Sequence, residues 1–100
     1  MIKKYQKEID RWFKKMNWPY WSALAILARL LEESGEFARI VNHNFGEKKK
    51  KKEEVDQDIE EEIGDILYTL MCFANSNKID LDQAIRKSID KVKKRDKKRF

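Results

Sequence analysis

The stretch Leu30–Ile40, LLEESGEFARI, and its echo Ile59–Leu67, IEEEIGDIL, decide the fold. Apolar residues recur every three or four positions in both, so each reads as a helix. Each also sets two carboxylates three residues apart, Glu33 with Glu36 and Glu62 with Asp65. On a helix such a pair lies about 60° apart, with Cβ atoms roughly 5–6 Å from each other. Two acids so placed can hold one cation.

With Glu33 at the origin of a helical wheel, Ile26, Leu30, Phe37 and Ile40 fall within about 60° of it. Glu33 is therefore expected at the edge of the core. Glu62 stands in the same relation to Ile59, Ile66 and Phe73, and Asp65 lies about 60° to its other side. Carboxylates at the margin of a core repel one another and lose solvation unless they are paired, protonated or bound to metal. One such acidic run would read as a solvated helix face. Two copies on two apolar helices favour a site.

Working outward, residues 2 to 16 read as a first helix, with Ile2, Tyr5, Ile9, Trp12, Phe13 and Met16 spaced by three or four. Asn17, Trp18 and Pro19 end it, because proline cannot continue a helix and disfavours helical backbone at the residue before it. A second helix is expected from Ser22, a good cap, to about Asn44, with Phe45-Gly46 as its stop. GEKKKKKE at 46 to 53 reads as a polar loop. A third helix is expected from about Glu54 to Asn75, and a fourth after Asp80 or Asp82 into the basic tail. Gly35 and Gly64 sit inside the two acidic helices at a cost of about 1 kcal/mol each relative to alanine, so close approach by another helix or a ligand is expected there.

The composition agrees with an all-α fold: 41% hydrophobic, 41% charged, three Gly and one Pro leave little material for the turns of a sandwich or barrel. One hundred residues without a Pro/Gly/Ser linker read as one domain, 1–100. A helical chain this small buries a modest core and gains from self-association, so a dimer is expected. The start, MIKKYQKEIDRWF, lacks the apolar segment of a secretory signal, and no apolar run reaches the roughly 18 residues of a membrane span. A cytoplasmic protein is expected. The single cysteine, Cys72, lies in the apolar run LYTLMCFA and reads as a packed thiol.

The net charge of +5 is concentrated at Lys48–Lys52 and from Arg86 onward, where nine Lys/Arg face two Asp. Such segments attract polyanions of several kinds. No G-x-x-x-x-G-K-[ST] or Rossmann glycine pattern occurs, no Cys/His set suits zinc, and one histidine, His43, leaves both hydrolase triads and the histidines of di-iron bundles unsupplied. An oxygen-only ligand set favours Mg²⁺ or Mn²⁺.

LLEESGE and EEIGDIL resemble the E-E-x-x-E and E-x-x-D motifs of the MazG-like all-α nucleoside triphosphate pyrophosphohydrolases, with 25 residues between Glu36 and Glu62. The resemblance covers about residues 20 to 100 and extends to Lys91 and Arg95, similar to the family's basic pair that faces phosphate. Ile89 departs from the pattern, because the family often carries an asparagine two residues before that lysine. The resemblance implies a bundle of about four helices completed as a homodimer or homotetramer. It implies Mg²⁺, with Mn²⁺ as a substitute, held by Glu33, Glu36, Glu62 and Asp65. It further implies cleavage of an NTP or dNTP between the α- and β-phosphates, giving a monophosphate and pyrophosphate. Glu32 or Glu61 is then the candidate base for the attacking water, Lys91 and Arg95 the phosphate contacts, and Trp21 a candidate for stacking on the base. The alternative is a non-enzymatic basic helical module that binds nucleic acid or a protein. It explains the charge and leaves the four carboxylates without a purpose, so nucleic acid is not the expected partner.

Overall fold

The computed structural model describes residues 1–46 and 58–99, without the side chains of 98 and 99. It contains four helices, α1 (Ile2–Met16), α2 (Ala23–Phe45), α3 (Ile59–Ser76) and α4 (Leu81–Arg99), and no strand among the described residues. The all-α expectation holds. Among the described residues no helix is long and apolar enough to cross a membrane. Lys48–Lys52 and the residues from 54 to 57 lie outside the described residues.

The chain folds as two compact units. One comprises Met1–Tyr20 and Met71–Phe100, hence α1, the end of α3 and α4; the other, Trp21–Leu70, comprises α2 and the start of α3.

In the first unit named groups close both ends of α1 and the start of α4. Asn17 takes the left-handed conformation, φ 57°, while Trp18 N–H reaches back to Phe13 O at 2.9 Å. This satisfies a carbonyl that the helix leaves open, and Pro19 comes where the helix has already stopped. The N-terminus of α1 has no cap of its own. Asp82 of α4 supplies one, accepting from the Ile2 and Lys3 amides at 3.0 and 3.3 Å. Asp80, not Asp82, caps α4, with Oδ1 accepting from the amides of Asp82 and Gln83. Among the described residues the unit's buried apolar side chains are Cys72 and Ala74, so the thiol is packed as expected.

In the second unit Ser22 caps α2 by accepting from the Ala25 amide at 3.2 Å. Asp58 accepts from the Glu60 amide at 2.8 Å, and α3 begins at Ile59, later than the helical period alone suggests. The local signal that periodicity overlooks is Asp58 itself, a short acidic side chain suited to the N-terminus of a helix. Three α2 residues are buried, Ile26, Glu33 and Ile40, each seven apart and therefore on one side of the helix. The middle member of an apolar stripe is an acid.

At Gly35 and Gly64 no other helix among the described residues of this chain approaches closely: a Cβ at either would meet nothing within 4 Å. Gly35 instead lines a cavity that it shares with the paired acids.

Candidate metal centre

Glu33 and Glu62 are 6% and 8% exposed, and both belong to the Trp21–Leu70 unit. The helical period puts them there: Glu33 shares a face with Ile26 and Ile40, and Glu62 lies seven residues before buried Thr69 on α3. Asp65 stands three residues beyond Glu62 and brings its carboxylate to the same place. One oxygen or more from each of Glu33, Glu62 and Asp65 lie within 4.8 Å of one another. Thr69 donates its hydroxyl to Asp65 O at 2.8 Å, so it is satisfied within its own helix and does not neutralise the acids.

Such crowding leaves a mark on protonation. Glu62 is pushed up to about 7, first by its hydrogen bond with Glu33, then by burial and by the negative charges of Glu33, Asp65 and Glu36. Two adjacent carboxylates share a proton more readily than they both ionise. Even so, Glu62 Oε1 is buried with no hydrogen-bond partner. An orphaned acceptor of this kind has an unmet requirement for a donor or a cation.

The carboxylates open into a cavity of about 570 Å³. Glu32, Glu33, Glu36, Glu62 and Asp65 line it with Leu31, Gly35 and one cation, Arg29. Glu36 borders the cavity but turns one oxygen to Arg39 Nη2 at 2.6 Å. Arg29 places Nη2 2.8 Å from Glu33 Oε1 and Nη1 3.3 Å from Glu32 Oε2. Neither arginine was singled out from the sequence. The spacing carries the signal, since Arg29 precedes Glu33 by four and Arg39 lies three beyond Glu36, both distances at which helix side chains meet.

The four acids expected to act together thus line one cavity, three of them with converging oxygens. The other candidates divide. Glu32 lines the cavity, with its side chain 68% exposed, whereas Glu61 is exposed on α3 and does not. Lys91 and Arg95 are exposed on α4, in the other unit, and Arg95 Nε lies 3.7 Å from Asp96 Oδ1. Trp21 is 63% exposed just before α2. Of the other aromatics, Tyr20 stacks on Phe13 at 4.5 Å between ring centres, and Trp18, still half-exposed, meets Phe13 and Trp12 edge-on.

The donor set tests what could sit here. Carboxylate oxygens alone, with no thiol or imidazole in the cluster, suit a hard divalent cation such as Mg²⁺ or Mn²⁺. The orphaned Glu62 oxygen and the shared proton are what such a cation would relieve. The residues present fit the group.

Comparison with known proteins points the same way. The family model described as the MazG nucleotide pyrophosphohydrolase domain matches residues 22–100. The uncharacterized protein YpjD of Bacillus subtilis strain 168 is 48% identical over 99 residues, covering 99% of this chain and 89% of that protein. Among solved structures, YPJD from Bacillus subtilis is similar with a TM-score of 0.81 and 46% identity, over 92% of each chain. The crystal structure of the Bacillus-conserved MazG protein, a nucleotide pyrophosphohydrolase, gives a TM-score of 0.78 and 42% identity, over 92% of this chain and 88% of that one.

Proposed function

The chain belongs to the MazG nucleotide pyrophosphohydrolase family and is an enzyme of that class, and we propose that it cleaves a nucleoside triphosphate, ribo or deoxy, between the α- and β-phosphates. The products are a nucleoside monophosphate and pyrophosphate. Glu33, Glu36, Glu62 and Asp65 hold Mg²⁺, with Mn²⁺ as a substitute. The observation that carries this reading is the buried, unpartnered Glu62 oxygen beside Glu33 and Asp65 in an acid-lined cavity.

When bound, the divalent cation supplies charge neutralisation of the triphosphate and makes water more acidic. The chain's own residues do the rest. Glu33 and Glu62 are set in apolar faces, which excludes solvent from behind the carboxylates and fixes their direction. Glu32 is the better placed of the two candidate bases, because it lines the cavity and Glu61 does not. It accepts the proton of the attacking water. Lys91 and Arg95 offer positive charge to the phosphates, and Trp21 offers a ring to the base.

The same reading includes self-association into a homodimer or homotetramer acting in the cytoplasm as one domain spanning 1–100. Leu24, Leu27 and Leu31 are 78%, 49% and 66% exposed and succeed one another at helical spacing, a stripe of apolar surface that a second copy would cover. Light scattering on the purified protein should give a mass at least twice that of the 12.1 kDa chain.

The deciding experiment is pyrophosphate release from a panel of NTPs and dNTPs, with Mg²⁺ and with EDTA, for the wild type and Glu62→Gln. Release that requires Mg²⁺ and falls about a hundredfold or more in the variant, with helix content retained, is expected. Near-native turnover by Glu62→Gln overturns the site assignment.

A further inference from the structure

We propose that Arg29 is an exchangeable counter-ion: in the metal-free cavity it neutralises Glu33 and Glu32, and when a divalent cation takes over Glu33 its guanidinium transfers to a phosphate oxygen of the substrate. This rests on the metal-dependent reading of the cavity and adds a substrate-binding residue to it. Among the described residues lining the cavity, Arg29 is the one cation facing five carboxylates. It bridges a buried acid and an exposed one, since the Glu33 side chain is 8% exposed and that of Glu32 68%. Its own side chain is 52% exposed, so the guanidinium reaches Glu33 from the open side of the cavity. A group held from that side can leave without disturbing the packing beneath.

A divalent cation on Glu33 would share that carboxylate with a guanidinium 2.8 Å away, and like charges so close repel strongly. Arg29 then loses its shorter, buried partner and keeps only the exposed Glu32 at 3.3 Å. The incoming triphosphate brings a denser negative charge than the single exposed carboxylate of Glu32 that remains 3.3 Å away, and the planar guanidinium fork matches phosphate oxygens as well as it matches carboxylates. Its departure also releases Glu32, the cavity-lining candidate for the base. Arg39 does not take part in this exchange: it holds Glu36 but does not line the cavity.

The bland alternative is an ordinary i, i+4 helix pair that contributes little and touches nothing else. The two readings differ in whether removing the guanidinium changes either affinity. Calorimetric titration with Mn²⁺ alone, for wild type, Arg29→Gln and Arg29→Lys, measures the first half of the exchange. Titration of the Mn²⁺-saturated proteins with inorganic tripolyphosphate, supplied as its Mn²⁺ complex, measures the second. Removing the competing cation should tighten Mn²⁺ binding by about three- to tenfold and weaken tripolyphosphate binding by a similar factor, with Arg29→Lys between the two. No change in either affinity overturns the proposal in favour of the surface pair. Weakening of both overturns it in favour of a scaffold that only holds Glu33 in place. Wild-type protein that takes up no Mn²⁺ overturns the metal reading itself, a different failure from the other two.

Discussion

The described residues include two clusters of buried polar side chains, one in each unit, and they are built on opposite rules. Around Gln6, 6% exposed, every amide atom is used. Gln6 Nε2 donates to Asn75 Oδ1 and Ile79 O, and its Oε1 accepts from the Leu81 amide at 3.0 Å. Asn75 Nδ2 donates to Gln6 O and to the Tyr20 hydroxyl, which donates to Asp10 at 2.9 Å. Around Glu62, carboxylates face carboxylates and one oxygen has no partner. A closed network stabilises a fold and offers nothing to a ligand. An open one weakens the fold and is retained for what it binds.

The contrast is tested most directly by cutting one member of each cluster. Glu62→Gln, expected to lose turnover about a hundredfold, should leave metal-free thermal stability unchanged or higher, because it removes a like charge from a crowded site. Asn75→Ala should do the reverse. It takes one partner each from the Gln6 amide nitrogen, the Gln6 carbonyl and the Tyr20 hydroxyl in partly buried surroundings, while Ile79 O and Asp10 remain, at a cost of about 1–3 kcal/mol. Chemical denaturation of both variants in EDTA separates the two behaviours. Two losses of similar size would mean that the carboxylate cluster is structural after all.

The pH dependence makes the same contrast finer, because the two clusters titrate with opposite sign. In the amide cluster, hydrogen bonds from Lys14 and then from Tyr20 hold Asp10 below its ordinary value of 3.8. Its contribution is fully present above that pH and is lost on acidification through the lower folded value. Glu62 runs the other way. From its ordinary value of 4.5 to about 7 the folded chain keeps a proton that the unfolded chain has released, so stability falls as pH rises across that window. Thermal unfolding in EDTA at pH 5, 6.5 and 8 should show a falling midpoint, and excess Mg²⁺ should restore the value at pH 8. A midpoint that stays level in EDTA would remove the shared proton from the account. Tyr20, pushed up to about 12 chiefly by burial, stays protonated throughout.

How much could be read in the sequence depends on which information is local. The spans of α1 and α2, the Ser22 cap and the stop at Asn17–Pro19 depend on neighbours in the chain, and they stand where the pattern puts them. The paired acids were legible because an i, i+3 spacing is itself a geometric statement. The pattern understated Glu33, placing at the edge of the core a residue that belongs to the buried stripe. Gln6 and Asn75 carry no such mark. They are ordinary polar residues 69 positions apart, joined only by the tertiary fold. Arg29 was available to the same spacing rule that found the acids, but a basic residue near acids on a helix usually reads as a surface pair.

The smallest expected effect concerns the two glycines, and it separates cavity from helix within the second unit. Both sit in helix interiors with open space where a side chain would go. Either change to alanine should therefore stabilise the protein by about 0.5–1 kcal/mol through helix propensity alone. Only Gly35 lines the carboxylate cavity. Gly35→Ala should accordingly raise KM for the triphosphate while Gly64→Ala leaves it unchanged, both with the same gain in unfolding midpoint. Equal KM values would mean that the space beside Gly35 is incidental to substrate. A rise confined to Gly35→Ala would mean that the helix gives up stability at that position to keep the cavity open.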